Sequence, residues 1–128
     1  MNPISEKIKI GTIGEILVQL RLLQYDVQSA PALKDSGNDL IAVKGDIFRA
    51  IQVKTSTKDI FILKNLHKYH ILALVKLIGE NDSIYLDLSR IFLLQKSEVE
   101  KKSYNIEELT DKVLNKERID QLFRLGRP

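Results

Sequence analysis

Gly37-Asn-Asp-Leu-Ile-Ala-Val-Lys-Gly-Asp-Ile-Phe-Arg-Ala-Ile-Gln-Val-Lys54 reads as two apolar strands joined by a tight turn, and it carries three polar residues that a plain hairpin does not need: Asp39, Gln52 and Lys54. Gly45-Asp46 fits the two-residue loop of a type II′ turn, with Gly taking the φ > 0 position. Counting outward then pairs Lys44 with Ile47, Val43 with Phe48, Ala42 with Arg49, Ile41 with Ala50, Leu40 with Ile51, and Asp39 with Gln52. Opposed Cβ atoms lie about 4.5–5.5 Å apart, and the strand period of two puts Lys54 on the face of Gln52, away from Ile51 and Val53. One end of the hairpin thus presents a carboxylate, an amide and an ammonium. It can be a solvated strand end with an Asp–Lys contact, or a site. Apolar residues on both faces mark these as central strands covered on both sides, where charge is costly unless it is paired or binds an ion; that favours a site.

At 128 residues and 44% hydrophobic content the chain suits one domain with a proper core. Its net charge of +3 permits an anionic partner without demanding one. The charge is spread evenly, with no basic tail, so a nucleic-acid surface has to be assembled by folding. The absence of cysteine excludes disulfides and thiolate metal sites. The longest apolar run, Ile71–Val75, is far below membrane-spanning length, and Met-Asn-Pro-Ile-Ser-Glu-Lys does not resemble a signal peptide, so a soluble cytoplasmic protein is expected.

Residues 4–25 show helical periodicity in Ile4, Ile8, Ile13, Leu17, Leu20 and Leu22. Gly11 and Gly14 interrupt it, each costing about 1 kcal/mol against Ala. They imply a helix that starts later or a surface that another backbone or a phosphate approaches closely. Glu15 has two readings, as partner of Thr12 in a capping box or as a second carboxylate beside Asp39. Val27-Gln-Ser-Ala is an edge-like strand, and Pro31 to Asn38 a loop with turn chemistry at Ser36-Gly37-Asn38. Thr55-Ser-Thr-Lys-Asp is a hydroxyl-rich loop at the site's end of the sheet. Further strands are expected at Ile60–Leu63, Tyr69–Ile78, Ser83–Leu88 and Ile91–Leu94. His67 and His70 have helical metal-ligand spacing, but with no third His or Cys a zinc site is disfavoured. Asn105-Ile-Glu-Glu108 resembles a cap before two helical pieces split near Asn115-Lys116, with Lys112, Lys116, Arg118, Arg124 and Arg127 as a solvated face.

A helix with Gly-x-x-Gly-Glu, a strand opening on Asp and a strand ending in Gln-x-Lys together resemble the PD-(D/E)XK nuclease superfamily. The match is closest to small Holliday junction resolvases and to intron-encoded homing endonucleases with a Gln-x-Lys motif. The likeness covers roughly residues 9–56 of a single domain spanning 1–128, with a C-terminal helical extension at about 105–124. It implies a restriction-endonuclease-like α/β fold with an αβββαβ core, a mixed central sheet flanked by helices. Asn38 stands where the name-giving Pro would be, and Gln52 replaces a charged ligand.

The resemblance further implies Mg²⁺-assisted hydrolysis of DNA phosphodiester bonds, Mn²⁺ substituting. Glu15, Asp39, Gln52 and Lys54 are its catalytic set, and Asp39, Gln52, the Val53 carbonyl and Glu15 its metal ligands. Lys54 would orient the attacking water and offset phosphate charge. Losing a formal charge at Gln52 weakens metal affinity, for which Glu15 compensates. The partner is duplex or branched DNA, and the alternative function is a nuclease-like domain that binds DNA or a partner without cleaving. Because one site cuts one strand at a time, a homodimer or homotetramer is expected, joined through apolar surface after residue 60.

Overall fold

The computed structural model describes residues 5–32, 39–66, 68–80 and 83–124. The chain opens with helix α1 (Glu6–Leu23), followed by β1 (Gln28–Pro31), β2 (Leu40–Lys44), β3 (Ile47–Ser56), β4 (Ile60–Ile62), β5 (Ile71–Lys76), β6 (Gly79–Glu80), β7 (Ser83–Ile84), β8 (Arg90–Gln95) and β9 (Ser103–Asn105). A 3₁₀ segment, Ile106–Lys112, and helix α2 (Lys116–Leu122) close it. The main sheet has the order β1-β2-β3-β5-β8, with β3 and β5 parallel and the other neighbours antiparallel. This is the mixed α/β class expected. The crossover from β3 to β5 runs through β4 and an irregular segment, where the αβββαβ order would place a helix.

The β2–β3 hairpin forms in the expected register from Lys44↔Ile47 to Leu40↔Ile51, with Gly45 at φ 61°. Strand alternation then sorts the core into two layers. Leu40, Ala42, Ile51, Val53, Ile71, Ala73, Ile91 and Leu93 pack against α1 and α2. Leu72, Leu74, Phe92 and Leu94 pack on the other face against Phe61, Leu63, Tyr69, Tyr104 and Leu109. These last residues come from or adjoin the small β4–β9 sheet and the 3₁₀ segment. β5 and β8 are therefore buried on both faces, as the unbroken apolar runs Ile71–Val75 and Ile91–Leu94 require.

Several local expectations change. α1 begins at Ser5, whose hydroxyl accepts from the Ile8 N–H at 3.2 Å, so Thr12 is mid-helix and Glu15 is not its capping partner. The apolar stripe of α1 divides: Leu17, Val18 and Leu22 are buried, whereas Ile8 and Leu20 are exposed. Gly14 sits where the helix touches β3, since a Cβ there would overlap the Thr55 side chain. Beyond the short β6–β7 hairpin the expected strand through Leu88 gives way to a turn, residues 86–88. Asn105 and Glu108 do form a reciprocal cap, and the helical extension breaks before Asn115, which caps α2. Arg118 is not part of a solvated face. It is buried, donates to the Leu93 carbonyl at 3.0 Å and pairs with Glu98, which Lys112 also meets at 3.3 Å. Most of the apolar surface after residue 60 assigned to assembly is consumed in the core: Ile71–Lys76, Ile91–Leu94, Ile119, Leu122 and Phe123 are inside, and only Tyr85, Leu86 and Leu88 of those stretches stay exposed. His67, Ser36-Gly37-Asn38 and Arg127 lie outside the described residues.

His70 has a structural task. It extends the β3–β5 pairing, donating its own N–H to the Ala50 carbonyl at 2.9 Å while its Nδ1 accepts the Ala50 N–H at 2.8 Å. Only an unprotonated Nδ1 can accept, and burial, then the charges of Arg49 and Lys96, hold its pKa below the ordinary 6.5. The folded state thus binds this proton less readily than the unfolded chain. Its stabilisation is complete above pH ~6.5 and is lost as pH falls through the lower folded value. Melting curves of the parent and of His70→Leu between neutral pH and pH ~5 are expected to converge as the pH drops; parallel curves would show that His70 does not report on this proton.

Candidate active site

The ladder between β2 and β3 stops at Leu40↔Ile51, and the next step is made by a side chain. Asp39 donates its N–H to the Ile51 carbonyl at 3.1 Å, and its Oδ2 accepts the Val53 N–H at 2.7 Å. A strand's N–H groups point within the plane of the sheet. The carboxylate therefore occupies the position where β2 backbone would have continued, and among the described residues no group pairs with its Oδ1.

α1 crosses this end of β3 at the Gly14–Thr55 contact. The next residue, Glu15, opens into a cleft of about 370 Å³ lined by Ile10, Gly11 and Glu15 from the helix and by Val53, Lys54 and Thr55 from β3. Glu15 is partly buried, and desolvation, then the negative charge of Asp39, raises its pKa above the usual 4.5. Two carboxylates held near one another in partial burial form a site short of positive charge. Lys54 is half-buried in the cleft wall, and Lys7 and Lys58 also line it. Ser56 is committed to the loop: its hydroxyl accepts the Lys58 N–H at 2.9 Å, while Lys76 ties the same loop through the Thr57 carbonyl at 2.6 Å and Asp59 at 3.2 Å.

Gln52 stands apart. It is 4% exposed, alternates with Ile51 and Val53, and donates Nε2 to the Asn65 carbonyl at 3.1 Å, on the face opposite α1. Of the residues expected in the site, the structure brings Glu15 near enough to Asp39 for their charges to interact and into one cleft with Val53 and Lys54, although Lys54 leaves β3 on the face of Gln52, opposite Val53 and Thr55. It turns the Gln52 amide toward Asn65, with Asp39 in the plane of the sheet between the two faces. Asn65 was not foreseen. Its φ of 56° is the left-handed conformation that Asn tolerates better than most residues, and that is the only signal of it in the sequence.

The donor chemistry suits a hard divalent cation: the Glu15 carboxylate and backbone oxygens in the cleft, the Asp39 carboxylate beside it, and no sulfur or imidazole among the described residues that line it. Glu15 and Asp39 would hold it.

No model of a known protein family matches the chain, and no curated protein is similar to it. Among solved structures it is similar to a bacterial homing endonuclease, I-Ssp6803I, with a TM-score of 0.50 and 12% identity over 79% of this chain and 78% of that one. The likeness lies in the fold: the chain has the mixed α/β fold of a homing endonuclease.

Two outcomes check this geometry. A carboxylate whose folded pKa is raised adds stability that is complete below pH ~4.5 and is lost as pH rises through the folded value, so at neutral pH ionised Glu15 destabilises the cation-free protein. Glu15→Gln is expected to melt higher than the parent at pH 7, the difference closing toward pH 4, and Mn²⁺ is expected to raise the melting temperature of the parent more than that of the variant. A variant that melts lower at pH 7, or an equal Mn²⁺ shift in both, would refute the paired-carboxylate site. Gly14→Ala should cost on the order of 2 kcal/mol through overpacking against Thr55 and weaken the Mn²⁺ shift, and Gly14→Ala with Thr55→Gly should recover both; failure to recover would mean that the contact does not position Glu15.

Proposed function

We propose that this protein is a DNA endonuclease that hydrolyses phosphodiester bonds with the help of Mg²⁺, of the PD-(D/E)XK type. The observation that carries the reading is the Asp39 carboxylate fixed on the Val53 N–H beside Glu15, one residue from Lys54, in a fold shared with a homing endonuclease. A bound divalent cation would supply Lewis-acid polarisation at the scissile phosphate. This chain's own residues do the rest. Asp39 and Glu15 would hold the cation, with the Val53 carbonyl as a neutral donor. Lys54 offsets charge on the phosphate and orients the attacking water, and Lys7 and Lys58 grip flanking phosphates in a sequence-independent way. The substrate class is duplex DNA, or branched DNA as for the resolvases.

A second reading, a nuclease-like domain that binds DNA without cleaving it, is favoured by the engagement of Gln52 with Asn65 on the face away from Glu15. Incubation with linear duplex and four-way DNAs separates the two. Cleavage with Mg²⁺ and none with EDTA supports the nuclease, whereas equal retention of DNA in both with no cleavage supports the binding domain.

Within the nuclease reading, Asp39→Ala and Lys54→Ala are expected to abolish cleavage while changing DNA affinity by no more than about tenfold, because phosphate contacts position the DNA and the site does the chemistry. Cleavage at the parental rate by either variant would overturn the assignment. Gln52→Glu should keep metal binding but alter turnover without improving it; a faster enzyme would show that position 52 takes a charged ligand without penalty.

A further inference from the structure

One side of α1 is buried and another carries an apolar row that none of the described residues covers. Ile16, Leu20 and Leu23 are 57%, 54% and 58% exposed and follow one another at spacings of four and three, one stripe of the helix surface. The row borders a groove of about 670 Å³ whose other apolar wall is Ala30 of the edge strand β1 with Ile41 and Val43 of β2. Its polar members are Gln19, Gln28 and Ser29, and none of the described residues lining it is ionisable, in a chain of which 29% is charged. A solvated helix face is where charges ordinarily gather. A charge-free apolar surface is instead what the centre of an interface between identical subunits looks like.

We propose that this row is the contact between two copies of the chain, related by a two-fold axis close to Leu20. Three features favour a second copy as the occupant. The row is nearly symmetric about Leu20, with one apolar residue a turn before it and one a turn after, so two antiparallel α1 helices set Ile16 of one copy against Leu23 of the other, as an isologous contact requires. The exposed apolar surface, on the order of 400 Å², is comparable with the largest patch of a typical soluble monomer, which is often functional. Against the roughly 800 Å² per partner of a standard interface, the row would form the apolar centre and Gln19, Gln28 and Ser29 part of the polar rim. Finally, Glu15 adjoins Ile16. Five residues from the axis, at about 1.5 Å of rise each, the two Glu15 side chains come to lie about 15 Å apart along the helices, the scale of the roughly 12 Å major groove. This last argument rests on the endonuclease reading, in which two strands need two sites; the first two do not.

Light scattering on the full chain, without DNA or metal, tests the proposal. At micromolar concentration the parent is expected at twice its 14.7 kDa. Leu20→Glu and, separately, Leu23→Glu are expected to halve that mass with an unchanged circular dichroism spectrum, since both side chains are already exposed, while Ile62→Glu, equally exposed but on β4, leaves it doubled. The chain has no cysteine, so Leu20→Cys introduces a single thiol that should cross-link two copies under oxidation. A parent at monomer mass throughout, or a Leu20→Glu variant as heavy as the parent, would overturn the contact. Failure of the endonuclease reading looks different: the parent stays dimeric and Leu20→Glu monomeric, yet no DNA is cut with any metal, and the contact is upheld. If both readings hold, Leu20→Glu nicks single strands and loses paired double-strand breaks.

Discussion

The hydrogen bond from the Val53 N–H to the Asp39 carboxylate is the constraint on which the site depends, because it is where the sheet stops pairing backbone with backbone. Its existence traces to the parity of the hairpin. A two-residue turn at Gly45-Asp46 makes Leu40 and Ile51 an opposed pair, so Asp39 is one step past the ladder and its carboxylate can fill the gap that the missing backbone acceptor leaves. One residue more in the turn would shift every pairing and exchange the faces of all the side chains. The turn therefore fixes the core layers and the position of the acid together.

Holding two carboxylates close costs stability, and the fold meets that cost away from the site. β5 and β8 are wholly enclosed between α1 and α2 on one face and the β4–β9 layer on the other. The Arg118–Glu98 pair, with Arg118 also on the Leu93 carbonyl, locks α2 to the far edge of the sheet. Arg49 reaches the end of the same helix through the Leu122 carbonyl at 3.1 Å. Against that rigid frame a single glycine contact, Gly14 on Thr55, brings the helix close enough for Glu15 to feel the charge of Asp39. A larger residue at position 14 would hold the helix away from the strand, which is why a helix-weakening residue stands in the interior of α1.

The hairpin, its register as far as Leu40 and Ile51, the buried strand β5 and the broken C-terminal helix were legible in the sequence, because each rests on local turn chemistry or on periodicity. The two-sided cover expected of the hairpin strands fails at Phe48, which is 62% exposed, and at the partly buried Ile41 and Val43. Cases where distant partners decide were not legible. Thr12-Ile13-Gly14-Glu15 has the pattern of a cap, but Ser5 starts the helix a full two turns earlier. Arg118 has the appearance of one more cation on a surface face until Glu98, from another element, takes it inside. Leu20 shares the periodicity of Leu17 and is nevertheless exposed, because periodicity gives the angle between side chains and says nothing of where the sheet ends. In the site, the approach of Glu15 to Asp39 could be anticipated from the motif, whereas the turning of Gln52 toward Asn65 could not, since it depends on a left-handed residue thirteen positions away in an irregular segment.

That turning also bears on why an amide occupies position 52. The side chain is buried and donates a hydrogen bond to a backbone carbonyl, a bond that a carboxylate cannot make because it has no proton to give. An ionised Glu there would face the Asn65 oxygen, lose solvation, and add a third negative charge to a site where the second already raises the pKa of Glu15. The neutral amide avoids all three penalties. On this view the charge needed to hold a cation is supplied by Asp39 and Glu15 alone, and the helix carrying Glu15 becomes as much a part of the metal site as the hairpin. An apolar row on that helix is then well placed to tie the geometry of one site to the presence of a second.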